Sequence, residues 1–260
     1  MNRGDDVITT FYGADAKCGV TMICQEIAQA LADLDTSKKV ILLNLSGSPG
    51  TEFSNLDFNY CIDDIHIKLK SEVMTVEELI GACVVQKNLY VLAGSKNIKI
   101  RKEFYPEEIT SLLELAQFNF DYVIVDAGSA VDYGLNIGAL LKSDRRILVT
   151  TQSKQAWRSF RQKYVQILAP LKISFDKLIV NKLFMGSGML SQKEIASSYE
   201  LSSDSLELSP YGLQAEKDSC KLSKLDRYVK KDITRLVSNL FFKADCSEKK
   251  GFKFFLKEAR

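Results

Sequence analysis

The sequence predicts a doubly wound α/β fold, with a mainly parallel sheet covered by helices on both faces, in a single domain. Near-continuous apolar runs, of the kind that form strands buried on both sides, alternate with stretches of helical periodicity. A glycine-bearing loop joins the first of these runs to the first helical stretch, and open sheets of this class place their ligands at such strand ends. A length of 260 residues is enough for one such domain to bury a sizeable core.

The first strand is expected at Val7-Ile8-Thr9-Thr10-Phe11-Tyr12, which is β-branched and aromatic. Ile23, Ile27, Ala30 and Leu31 then recur at helical spacing. Further strands are expected at Lys38 to Asn44, Leu89 to Gly94, Asp121 to Asp126, Arg146 to Thr150 and Lys177 to Asn181. The loop after Tyr12, with Asn44, Asp126 and Asn181, should therefore gather at the carboxyl end of the sheet. Ser46 to Asp64 is rich in Ser, Gly, Asn and Asp and reads as mobile loops. Met185 to Ser209 reads as a lid, with a short helix at Ser191 to Tyr199. Leu225, Tyr228, Val229, Ile233, Leu236, Val237 and Leu240 recur at three and four, marking a helix from Ser223 to Phe242 against the sheet. The folded domain is expected to span residues 1–243, and residues 244–260 form a tail of different character.

The loop, Gly13 to Met22, reads GADAKCGVTM. A loop between a strand and a helix N-terminus turns backbone N–H groups and the positive end of the helix dipole toward an anion. The usual phosphate-binding pattern, G-x-x-x-x-G-K-S/T, adds a lysine for the β- and γ-phosphates and a hydroxyl for magnesium. Gly19 and Thr21 fit the second glycine and the hydroxyl, Ala14 stands at the first glycine, and Val20 replaces the lysine. The candidate nucleotide-binding residues of the loop are Ala16, Lys17, Cys18, Gly19, Val20, Thr21 and Met22. Thr21 either ligates magnesium or hydrogen-bonds locally in the first helical turn. Lys17, the cation inside the loop, either reaches the phosphates or stands in solvent. Cys18 either gains reactivity from the helix N-terminus or packs.

The formal charge of +2 excludes a global nucleic-acid footprint. The cysteines, at 18, 24, 61, 83, 220 and 246, have no C-x-x-C pairing and no histidine cluster. Reduced thiols are expected, and neither a zinc site nor a disulfide framework. His66 is the only histidine and lies in a polar stretch, so it carries no catalytic or metal role. The sequence starts without an apolar signal segment and has no run able to span a bilayer, so a cytoplasmic location is expected.

From about Val7 to Leu240 the chain resembles the MinD/ParA family of deviant-Walker ATPases. Against that family's K-G-G-V-G-K-T-T loop, the chain supplies Asp15, Ala16, Lys17, Cys18, Gly19, Val20, Thr21 and Met22. The family's signature lysine, which reaches the nucleotide of the partner subunit, falls on Asp15, and its loop lysine on Val20. Its water-positioning aspartate falls on Asn44 in the segment Leu42-Leu43-Asn44-Leu45-Ser46. Other positions are kept. Asp126 ends a D-Y-V-I-V-D strand as the family's magnesium-side carboxylate does, although a strand-end or turn cap through Gly128 is the other reading. Asn181 matches the adenine-reading asparagine, with turn chemistry as its alternative. Ser209-Pro210-Tyr211 resembles the family's Leu-Pro-Tyr turn beside the base, which adds Pro210 and Tyr211 to the nucleotide-binding set.

The resemblance implies ATP or ADP with magnesium as ligand, with Thr21 and Asp126 toward the metal, and dimers that close over two nucleotides. Phosphoryl transfer rests on positioning and charge stabilisation, and two cationic positions hold a neutral and an anionic side chain. The expectation is a degenerate nucleotide switch with weak or absent hydrolysis and no catalytic residue assigned. It would organise a pilus, secretion or division machine, as in the TadZ/CpaE group whose loops also lose lysines. A non-catalytic interaction scaffold that has lost nucleotide is the alternative.

In the tail, Phe252, Phe255, Leu256 and Ala259 share a helical face, flanked by Lys249, Lys250, Lys253, Lys257 and Arg260. That pattern suits an interfacial helix, or else a disordered or docked tail. It is also similar to the K-K-G-F-L-K-R-L-F targeting helix of MinD proteins, which implies peripheral membrane contact through Phe252, Phe255 and Leu256.

Overall fold

The computed structural model describes residues 7–242 apart from residue 132. The tail reading, including Phe252, Phe255 and Leu256, lies outside the described residues. Within them the chain runs β1 (Ile8–Gly13), α1 (Val20–Leu34), β2 (Val40–Asn44), α2 (Ile62–Lys70), α3 (Val76–Ala82), β3 (Val84–Gln86) and β4 (Leu89–Leu92). It continues through α4 (Pro106–Asn119), β5 (Tyr122–Asp126), α5 (Gly134–Lys142), β6 (Arg145–Thr150), α6 (Lys154–Lys163) and β7 (Lys177–Leu183). The last elements are α7 (Gln192–Tyr199), β8 (Ser203–Glu207), α8 (Gly212–Lys217), α9 (Leu222–Leu225) and α10 (Arg227–Val237).

The strands form one sheet in the order β3-β4-β2-β5-β1-β6-β7-β8. All neighbours are parallel except β3 and β4. β1 sits between β5 and β6, with Phe11 opposite Asp126 on one side and Gly13 opposite Val149 on the other. Asn44 stands opposite Asp126. Every residue of β1 and β2 is buried, which is why both read as largely apolar runs. On one side α1 packs with α9 and α10, and the remaining large helical group joins α2, α3, α4 and α5.

All the strands read from sequence are present, with ends shifted by one or two residues. Two edge strands were not expected. β3 is a three-residue, largely exposed hairpin partner, and β8, Ser-Asp-Ser-Leu-Glu, buries only Leu206. An edge strand has a single ladder to satisfy, so its composition can stay polar. The expected lid at 185–209 is therefore partly sheet: α7 starts one residue after its cap Ser191, and β8 follows it. The helix expected from Ser223 to Phe242 is broken at Asp226, which ends α9 and caps α10 by accepting from Tyr228 N–H. The stretch after β2 has no regular element until α2, yet it is tied down: Gly94 N–H donates to Pro49 O, and the buried Gln25 amide donates to Gly50 O.

Candidate functional site: the loop between the first strand and the first helix

The loop is seated on the two strands that flank β1. Gly13 N–H donates to Gly128 O after β5, and Ala14 N–H donates to Val149 O in β6. Ala14 is fully buried, so a methyl group is accommodated where the usual pattern has glycine. The backbone turns left-handed at Lys17 (φ 59°) and again at Gly19 (φ 88°), conformations of the kind from which backbone N–H nests for anions are built. Gly19 is also the N-cap of α1, with no side chain closing the helix end and no acidic residue in the first turn. The first-turn N–H groups of a helix lack intrahelical partners, so this end offers donors and a positive dipole to an anion.

Asn181, at the loop end of β7, holds the turn in place. Its Nδ2 donates to Cys18 O at 2.8 Å and its Oδ1 accepts from Lys182 N–H at 2.9 Å, with the side chain buried. The fit is close enough that a Cβ on Gly19 would lie 2.2 Å from Asn181 Nδ2. Lys182 adds a contact from its Nζ to Lys17 O at 3.3 Å. Lys17 itself and Ala16 are exposed. Cys18 is buried, and burial above all pushes its thiol up, so it packs as a core residue. Val20 and Met22 are buried in the core. The five described cysteines are all free.

Thr21 and Asp126 meet below the loop. Thr21 Oγ1 donates to Asp126 Oδ2 at 2.6 Å, and Gly128 N–H donates to Asp126 Oδ1 at 2.8 Å. Asp126 is fully buried, and burial raises its carboxyl to about 6, against the two hydrogen bonds and with further help from the charge of Glu52. A carboxylate and a hydroxyl, hard oxygen donors beside an anion cradle, suit magnesium, which takes few protein ligands and completes its shell with water and phosphate. Among the described residues no cluster of three or more His, Cys, Asp or Glu side chains could hold a metal unaided.

Asp15 and Asn44, which the resemblance aligns with a family lysine and aspartate, have partners within the chain. Asp15 Oδ1 accepts from Ser159 Oγ on α6 at 3.1 Å and from Ala16 N–H at 2.9 Å. Asn44 is fully buried, and its Nδ2 donates to Leu92 O of β4 at 3.0 Å. Gly50 packs against that side chain so closely that a Cβ there would lie 2.7 Å from Asn44 Oδ1. Pro210 and Tyr211 are exposed after β8, where Tyr211 opens α8 and its N–H donates to Ser209 Oγ. His66 is buried on α2, against Phe104 and 3.5 Å from Glu108, a packed residue far from a solvated one. Sequence reasoning missed Ser159, Lys163 and Lys182, which the fold brings to the loop from α6 and β7. No motif spacing marks them.

No known family's sequence profile matches the chain. It is 27% identical over 169 residues to the septum site-determining protein MinD of Synechocystis, a match that covers 64% of this chain and 60% of that protein. Its structure is similar to the ParA family ATPase of Chlorobium tepidum, with a TM-score of 0.79 at 18% identity, over 90% of this chain and all of the other. It is similar as well to MinD of Pyrococcus horikoshii complexed with Mg-ADP, with a TM-score of 0.76 at 14% identity, over 94% and 99% of the two chains. A sheet of this order with a phosphate-type loop after β1 defines the class of P-loop NTPase folds. Within that class the chain is similar to MinD and ParA proteins.

Proposed function

We propose that the chain is a nucleotide-responsive switch of the MinD/ParA type that binds ATP or ADP with magnesium and turns it over slowly or not at all. The observation that carries this reading is the pairing of a kept cradle with altered reacting positions. Gly19, Thr21 and Asp126 retain an anion- and metal-compatible geometry, while Asp15, Val20 and Asn44 stand where the family's cations and water-positioning carboxylate would be. Asn44 supports the point independently, because its amide donates to a buried carbonyl, a bond that a carboxylate could not make. Thr21 and Asp126 would hold magnesium, whose chemistry is to neutralise phosphate charge. Asp15 would set a carboxylate near a partner's phosphates, which argues against an ATP-driven sandwich dimer and leaves a nucleotide-independent homodimer open.

Titration calorimetry with ATP and magnesium tests the reading, using wild type and Val20→Lys. A restored charge-assisted phosphate contact stabilises the complex by roughly 1.5 to 3 kcal/mol, so the variant should bind at least tenfold more tightly. Failure of both proteins to bind ATP would mean that the loop is not a phosphate site.

The finer role, positioning of a pilus, secretion or division apparatus in the manner of the TadZ/CpaE group, rests on the resemblance and on the MinD similarity. The second reading, an interaction scaffold without nucleotide, draws on the internal satisfaction of the cradle, where the Asn181 amide bonds Cys18 O and the Thr21 hydroxyl bonds Asp126. Among the described residues no helix is long and apolar enough to cross a membrane. Membrane contact would fall to residues 249–260, whose lysines add ~1 kcal/mol each near an anionic surface. Flotation on anionic liposomes should be lost when the chain ends at Cys246 or carries Phe252→Glu with Phe255→Glu. Equal flotation of all three proteins would eliminate the tail as an anchor.

A further inference from the structure

The loop has lost its lysine at residue 20, yet a lysine from another element reaches the same corner. Lys163 closes α6, and its Nζ donates to Ser129 O at 2.8 Å. The same carbonyl accepts from Tyr12 Oη at 2.9 Å, and the ammonium lies 5.3 Å from the centre of the Tyr12 ring. Ser129 adjoins the loop directly. A Cβ built on Gly13 would lie 3.0 Å from Val20 Cγ2 and 3.1 Å from Ser129 Cβ, so Val20 and Ser129 are immediate neighbours across Gly13. The ammonium is thus fixed to the residue that abuts the vacated lysine position.

Its surroundings leave a positive charge incompletely matched. Lys163 is half-buried, and burial pulls its ammonium below the usual lysine range while the Asp15 carboxylate pushes the other way. Asp15 is itself engaged by Ser159 and Ala16 N–H through the same oxygen. A partly desolvated cation interacts with an arriving anion more strongly than a solvated one. The other nearby lysines are placed differently. Lys17 is exposed, and Lys182, also exposed, holds Lys17 O on the outer side of the turn.

We propose that Lys163 is the residue that supplies positive charge to the phosphates of a nucleotide at this loop, in place of the lysine absent from position 20. The assignment rests on the nucleotide reading above. It also accounts for Val20 as a packing residue: with the cation delivered from α6, the helix start can be apolar.

Calorimetric titration of the full chain with ATP and magnesium tests the assignment in wild type, Lys163→Met, Lys163→Arg and the Lys163→Met/Val20→Lys pair. Loss of one charge-assisted phosphate contact should weaken binding by about ten- to a hundredfold in Lys163→Met. Lys163→Arg should stay within a few-fold of wild type, and adding Val20→Lys to Lys163→Met should restore the affinity. Wild type that binds while Lys163→Met binds equally well overturns the assignment alone. A loss in Lys163→Met that Val20→Lys does not restore also overturns it, since the defect then lies in packing and not in charge. Wild type that binds no ATP overturns the nucleotide reading and this assignment together.

Discussion

Asp126→Asn is expected to stabilise the nucleotide-free protein at pH 7 while weakening its binding of magnesium and ATP. The Asp126 carboxyl is raised from 3.8 to about 6 by burial, so the fold disfavours its ionised form. The sign follows from linkage: the cost is absent below the unfolded value, grows as pH rises toward about 6, and is fully present above it. At about 1.4 kcal/mol per unit, the penalty at neutral pH is on the order of 3 kcal/mol. Asparagine has the same shape and can keep both hydrogen bonds, its Oδ1 accepting from Gly128 N–H and its Nδ2 donating to a reversed Thr21 hydroxyl. Urea unfolding at pH 4 and at pH 7 checks this. The variant should be the more stable protein at pH 7, with the difference nearly gone at pH 4. A difference of equal size at both values, or a less stable variant at pH 7, would contradict the assignment of a strained buried carboxylate. The strain is also a functional argument, because a cation bound at Asp126 would relieve it.

Gly19→Ala should be among the most damaging small substitutions in the chain. A side chain at φ 88° costs ~1–2 kcal/mol on backbone grounds. The new Cβ would also meet Asn181 Nδ2 at 2.2 Å, displacing the buried amide from Cys18 O. Leaving that group unpaired adds ~1–3 kcal/mol. A loss of roughly 2 to 5 kcal/mol lowers the melting temperature by roughly 5 to 15 °C for a domain of this size. Calorimetry reads the shift, and a double-mutant cycle with Asn181→Ala reads its cause. The pair should lose clearly less than the sum of the two single changes, because the clash is removed with the amide. Strict additivity, or a melting temperature within about a degree of wild type, would show that Asn181 does not clamp the loop.

What the sequence made legible follows physical lines. The central strands were visible because both of their faces are buried, which favours near-continuous apolar runs such as Val40-Ile41-Leu42-Leu43. The loop was visible because only a few residue types permit its turns, Gly19 above all. β8 was hidden by its polar outer face, and β3 by its length of three residues. The kink at Asp226 was hidden because the apolar spacing runs through it, and the break is seen only in the cap that the carboxylate makes to Tyr228 N–H. In the site, the altered positions Asp15, Val20 and Asn44 could be read directly, whereas their new partners could not. Ser159 reaches Asp15 across 144 positions of sequence and Asn44 bonds a carbonyl 48 positions away, contacts that no local pattern encodes. Lys163 belongs to the same category, a charge moved in space without leaving a motif.

The central claim is that the cradle is kept and the chemistry is lost. Phosphate release measured on the full chain at a saturating concentration of ATP and magnesium, with occupancy read in the same sample by a fluorescent ATP analogue, tests it most directly. The expected result is saturable occupancy with phosphate release absent or far below that of an intact MinD or ParA. Turnover at the rate of an intact MinD or ParA under the same conditions would contradict it.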